Sequence, residues 1–193
     1  PGYYTKTIYY KTPLGIQSFD QQVFEVKEDE PSPRAMFVIE GQNTIGVQFL
    51  DLEYLFDKRK GLVSIRFNDE EILKESPRPV FYRALTDNDR GAKETFASWM
   101  NASLFQHVTD FKMVRNSKCA QFMYTIKLES IDEPCKLVYT VYNNQNIQIQ
   151  MHMDKNSKRQ TIPLFGIEFA LKDAFNNFAY FGKGEKDTYA DRN

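Results

Sequence analysis

The residues best placed to do chemistry are Asp87 and Asp89, two carboxylates two positions apart in the stretch PRPVFYRALTDNDRG from Pro77 to Gly91. A pair of carboxyl groups held close together can divide the work of a proton donor and a nucleophile. Asp and Asn side chains also bond their own backbone in turns, and neighbours two apart in a turn ordinarily cap backbone groups. Asp87, Asn88 and Asp89 are therefore expected to form a tight polar loop that caps its own backbone, the alternative being a loop that contributes to a ligand pocket, and direct catalysis by the pair is not expected. Gly91, which can take a positive φ, is expected to serve as the hinge of that loop. Arg83 sits among aromatic neighbours and is expected to pair with a carboxylate across a sheet.

Other chemistry finds little support. His107 and His152 are far apart in sequence, and with only these two histidines and Cys119 and Cys135 no zinc cluster can be assembled. The two cysteines lie in strand-like stretches and read as reduced, partly buried thiols, the alternative being a disulfide. No phosphate-binding glycine loop or dinucleotide fingerprint is present. Asn101-Ala102-Ser103 fits the glycosylation pattern but falls in a helical stretch, so it is taken as chance. The chain has 193 residues, 41% hydrophobic and 26% charged, with a net charge of −1. That balance places it among soluble globular proteins and offers no field for nucleic acid or an anionic membrane. No apolar run approaches a membrane span, and no signal-peptide pattern is visible. The reduced cysteines favour a cytoplasmic location, with export of a longer parent left open.

The elements that must position these residues are almost all strands. Tyr3 to Tyr10 and Ile16 to Val26 are rich in aromatic and β-branched residues and are separated by Pro13-Leu14-Gly15. Lys27 to Arg34 is charged, carries two prolines and lacks apolar residues, as a linker does. From Met36 onward short strand patterns follow at the spacing of an antiparallel sandwich. Val63, Ile65 and Phe67 alternate with polar residues, and so do Ile147, Ile149, Met151 and Met153. Ala92 to Gln106 reads as the single short helix, with Phe96, Trp99, Met100 and Leu104 on its apolar face and Asp89 or Gly91 as its cap. Trp99 is expected to be core rather than a sugar platform.

Two motifs carry a family resemblance. Pro77 to Gly91 resembles the PRPxFWRAPTDNDRG signature at the start of the C-terminal β-sandwich of glycoside hydrolase family 2 β-galactosidases, departing at Tyr82 and Leu85. YFGKGEKDTYADR, from Tyr180 to Arg192, resembles that domain's W-x-G-x-G-P-x-E-N-Y-P-D-R, matching at Gly182, Gly184, Tyr189, Asp191 and Arg192. The same sandwich occurs as the separate small chain of two-chain versions.

The resemblance implies an all-β, galactose-mutarotase-like super-sandwich at 36–193, preceded by the end of an immunoglobulin-like domain at 1–27 and a linker at 28–35. It implies a fragment of a retaining β-galactosidase, starting at Pro1 without a methionine and stopping before the sandwich is complete, with strand edges left unpaired. The fragment would wall one side of the galactoside site and support assembly of a homo-oligomer. Catalytic glutamates would lie in a TIM barrel elsewhere in the parent, and so would its magnesium and sodium, leaving no cofactor or metal in this chain. Arg83 would then face a carboxylate of the sheet or of the barrel, and Tyr189, Asp191 and Arg192 would be structural or interface residues. The alternatives are a carbohydrate-binding module, with Tyr3, Tyr4, Tyr9 and Tyr10 as stacking residues, and the small subunit of a two-chain enzyme. A mutarotase-like use of His152 as a base is a more distant one.

Overall fold

The computed structural model describes residues 2–12, 15–26, 33–91, 96–154, 161–175 and 177, those before residue 33 by their backbone. They fall into two units, one of Pro1–Pro31 with Asn177–Asn193 and the other of Ser32–Asn176. In the first, β1 (Gly2–Thr12) and β2 (Gly15–Val26) form an antiparallel hairpin, with Gly2 opposite Val26 and Thr12 opposite Gly15.

In the second unit, β3 (Phe37–Glu40), β4 (Thr44–Gln48), β5 (Leu52–Asp57), β6 (Gly61–Phe67) and β7 (Glu70–Glu71) form a five-stranded antiparallel meander. β8 (Leu73–Val80) leaves it alongside β6 and leads into α1 (Asp87–Gly91) and α2 (Ala97–Leu104). A second meander follows: β9 (Gln106–Arg115), β10 (Cys119–Leu128), β11 (Ile131–Tyr142) and β12 (Ile147–Met153). β13 (Gly166–Leu171) returns to pair with β8, Ile167 opposite Pro79. The protein is an all-β antiparallel sandwich.

Period-two patterning makes the two faces. Along β10 the even-numbered residues Ala120, Phe122, Tyr124, Ile126 and Leu128 are buried, and on β11 Cys135, Leu137, Tyr139 and Val141 join them. Ile45, Val47, Tyr54, Phe56 and Leu62 supply the facing layer. The rings of Phe56 and Phe122 stack at 3.9 Å, and Tyr139 meets Phe56 edge-on at 5.5 Å. Buried tyrosines also carry polar ties between the meanders: Tyr54 donates to the Gln145 carbonyl at 2.8 Å and Tyr124 to the Asp57 carbonyl at 3.1 Å. Burial pushes the Tyr54 phenol up to about 12. In β12, Ile147, Ile149, Met151 and Met153 share the half-buried face, as their alternation requires. Phe67 does not follow its pattern inward. It ends β6 and is 44% exposed.

The helical region corrects the sequence reading in four ways. Among the described residues there are two helices, because the residues expected as a tight loop form α1. α2 is shorter than expected, since Phe96 at its entry lies in the left-handed region (φ 49°), which no continuous helix can pass through. Its cap is Phe96, with no side-chain hydrogen bond, and neither Asp89 nor Gly91. The buried face of α2 is Trp99, Ala102 and Ser103, while Met100 and Leu104 are exposed. Trp99 is fully buried, 5.8 Å from the ring of Phe81, and so belongs to the core.

Ser103 explains how a polar residue comes to lie on that face. Its Oγ accepts the Phe81 amide at 2.8 Å and donates to the Trp99 carbonyl at 2.9 Å. The backbone leaving β8 is thereby fastened to α2. The same two bonds occupy the hydroxyl of the glycosylation-like tripeptide.

Candidate functional site

The segment after β8 is built around a capping box. Thr86 Oγ1 accepts the Asp89 amide at 3.3 Å, while Asp89 Oδ2 accepts the Thr86 amide and hydroxyl, both at 2.7 Å. This reciprocal arrangement starts a helix, and Arg90 N–H closes the turn on the Thr86 carbonyl at 3.1 Å. The spacing T-x-x-D was the signal in the sequence for a helical start.

Arg83 completes the arrangement. Its guanidinium grips Asp89 with both amino groups, Nη1 to Oδ2 at 2.6 Å and Nη2 to Oδ1 at 3.3 Å. It also donates to the Ala84 carbonyl at 3.0 Å and, through Nε, to the Pro163 carbonyl at 3.1 Å. A carboxylate for Arg83 is thus supplied six residues along its own segment, whereas the sequence placed it across a sheet or on a barrel. The Arg83 guanidinium and then the Thr86 hydrogen bonds hold the Asp89 carboxyl well below the usual carboxylate range. A carboxylate held so firmly in its ionised form is a poor proton donor at neutral pH. Its observed work is to shape the backbone.

Asp87 and Asn88 are exposed at the start of α1. Asp87 pairs with Arg90 at 3.1 Å, with side chains 97% and 67% exposed, which leaves that pair worth little to stability. Gly91 ends α1 without a positive φ, and a Cβ there would meet nothing within 4 Å. The expected positive φ of Gly91 is therefore not what the structure has. Tyr189, Asp191 and Arg192 lie outside the described residues.

Among the described residues no group of three or more His, Cys, Asp or Glu side chains comes together to hold a metal, and Asp89 is engaged by Arg83. Cys119 and Cys135 are free thiols; burial pushes Cys135 up to about 12, leaving it unreactive. His152 is exposed, with Nε2 3.1 Å from Asp154 Oδ1. No described helix is long and apolar enough to cross a membrane.

One concave feature was not read from the sequence. A cavity of about 260 Å³ is lined by Pro77, Arg78 and Pro79 of β8, by the β5–β6 turn and by β9 to β11. None of Asp87 to Gly91 lines it.

Comparison with known proteins bears on what surrounds this site. The Beta galactosidase small chain family matches residues 49–193, which include both Pro77–Gly91 and Tyr180–Arg192. The chain belongs to that family. As a small-chain domain it is 31% identical over 182 residues to a β-galactosidase of Clostridium acetobutylicum, covering 91% of this chain and 20% of that protein. It is 30% identical over 174 residues to a β-galactosidase of Streptococcus thermophilus, covering 88% of this chain and 17% of that protein. It is also 28% identical over 184 residues to a β-galactosidase small subunit of Latilactobacillus sakei, covering 82% of this chain and 57% of that subunit. The chain therefore spans about a fifth of the length of the larger relatives.

Proposed function

We propose that this small-chain domain is the non-catalytic part of a β-galactosidase of glycoside hydrolase family 2, walling the galactoside site and supporting assembly. The parent hydrolyses terminal β-D-galactosides with retention, using a carboxyl pair of a TIM barrel outside this chain. In this reading 1–27 ends an immunoglobulin-like domain and 28–35 is a linker. The remainder contributes the sandwich. The observation that carries the reading is the Arg83–Thr86–Asp89 lock, inside a domain matched along 49–193 to the small-chain family.

The lock uses up the one carboxylate of the segment that is largely shielded, at 14% exposure, and leaves Asp87 and Asn88 at the surface. Both Asp89 oxygens are engaged, Oδ2 by Arg83 and Thr86 and Oδ1 by Arg83, so Asp89 is free neither to attack a sugar carbon nor to carry a proton, the two roles a catalytic pair divides. What α1 offers is a rigidly started turn whose exposed polar side chains can face a sugar, with Gly91 as the point where the backbone can give.

The relationship to the Latilactobacillus sakei subunit favours a second form of the same reading, in which the domain works as a separate chain beside a larger one. Both forms predict that the 193-residue chain alone has no turnover of an aryl β-galactoside. They also predict that the complete protein carrying it loses about tenfold or more in kcat/KM on Arg83→Gln, the scale of a misplaced wall of the site. Turnover by the isolated chain, or an unchanged kcat/KM in a folded Arg83→Gln protein, would sink the proposal.

A further inference from the structure

The cavity beside β8 has a basic mouth over an apolar floor. Pro77, Pro79, Tyr124, Ile126 and Leu137 are buried and form the floor. Arg59, Lys60, Arg78 and His107 are exposed and form the mouth. Among the described residues that line it none is acidic.

The mouth is held in place by its backbone. Asp57 Oδ1 accepts the amides of Arg59 and Lys60 at 2.7 and 3.0 Å, so the β5–β6 turn is fixed. Gly61, next in line, takes φ +87°, which brings the chain close to Tyr139. The Tyr124 hydroxyl is already given to the Asp57 carbonyl, so the floor asks for no polar partner there. Among the described residues the side chains of Arg59, Lys60 and His107 make no ion pair or hydrogen bond. Arg78 differs: it donates to the Ser103 carbonyl at 3.3 Å and pairs with Glu168 at 2.9 Å. Glu168 thus offsets one of the positive charges, and Arg59 and Lys60 supply the excess.

We infer that this cavity is a binding site for a small organic anion, with its carboxylate at the Arg59–Lys60–His107 mouth and a flat apolar body on Pro77, Pro79 and Tyr124. The charge asks for an anion, and the floor excludes a fully hydrated inorganic one. At about 260 Å³ the cavity falls below the ~300–1,000 Å³ of drug-sized ligand pockets, so the ligand is compact. Exposed cations attract a carboxylate weakly one at a time, and it is their convergence over a desolvated floor that makes the site selective.

The test is an amide NMR titration of the 193-residue chain with sodium benzoate, with benzamide as the neutral isostere and galactose as a neutral sugar. The expected result is saturable shifts at Lys60, Gly61, Arg78, His107 and Val108 with Kd on the order of 1 mM, and benzamide and galactose at least about tenfold weaker. The double variant Arg59→Gln, Lys60→Gln changes two exposed turn residues and is expected to weaken benzoate about fivefold or more while leaving the remaining spectrum in place. Added salt should weaken benzoate binding in the unaltered chain, a readout that needs no variant. Absence of saturable shifts, equal affinity for benzamide, no salt dependence, or unchanged affinity in the folded double variant would each overturn the site.

Discussion

Ser103→Ala is the most informative single change, because it removes one oxygen that two elements share. In the folded chain that oxygen is 2.8 Å from the Phe81 amide and 2.9 Å from the Trp99 carbonyl, on a residue only 7% exposed. The Trp99 carbonyl loses little, since the helix supplies it with an amide four residues on. The Phe81 amide loses its partner in a buried setting, Phe81 itself being fully buried, at a cost of about 1–3 kcal/mol. The better helix propensity of alanine returns a few tenths of a kcal/mol. The net expectation is a destabilisation of about 1–2 kcal/mol, or a fall in Tm of roughly 2–8 °C for a chain of this size. Urea denaturation followed by circular dichroism should show a lower midpoint with the same slope. Ser117→Ala, at an exposed position, serves as the control and should stay within about 0.5 kcal/mol of the unaltered chain. A Ser103→Ala effect no larger than that of the control would refute the claim that this hydroxyl fastens α2 to the end of β8.

Three further outcomes follow from the packing and the charges. Phe122→Ala removes the ring stacked on Phe56 at 3.9 Å and should destabilise by about 3–5 kcal/mol in the same urea assay. Gly61→Ala places a Cβ at φ +87°, 3.4 Å from the Tyr139 hydroxyl, and should cost about 1–2 kcal/mol, with the midpoint as readout. The third concerns acid. Asp89 is lowered by Arg83 and Thr86; Glu71 is lowered although burial opposes it, because Ser64, the Ile65 and Leu73 amides and Lys172 together outweigh that burial. For both groups the unfolded chain binds more protons than the folded one in acid, so their contribution is intact above the ordinary carboxylate values of about 4 and is lost as pH falls below them. Urea midpoints taken from pH 6 to pH 3 should therefore fall, and Asp89→Asn should make the fall shallower.

The fold was legible where one rule decided it. Strict alternation along β12 gave a strand with the observed face, and Pro13-Leu14-Gly15 separated β1 from β2. The helices were less legible, because two local signals competed. Asp87-Asn88-Asp89 reads equally as a turn and as the first helical turn after a capping threonine, and only the reciprocal bonds of Thr86 and Asp89 decide for the helix. Phe96 looked like part of the apolar face of one helix from Ala92 to Gln106, but its left-handed backbone ends any such continuity. The buried face then shifted to Ser103, which no hydropathy pattern would place inside. The cavity was invisible for a different reason. Its lining comes from the β5–β6 turn, β8 and β9 to β11, segments of the chain that lie apart until the two meanders pack.

The central claim is that this small-chain domain shapes a galactoside site without doing chemistry in it. The most direct measurement is steady-state kinetics of the complete protein carrying this chain, unaltered and with Asp89→Asn, on an aryl β-galactoside across pH. The account predicts a lower kcat/KM with an unchanged pH profile, since Asp89 positions the segment and exchanges no proton with substrate. A pH profile that loses one of its limbs in Asp89→Asn would make Asp89 a proton-transferring residue and contradict the account.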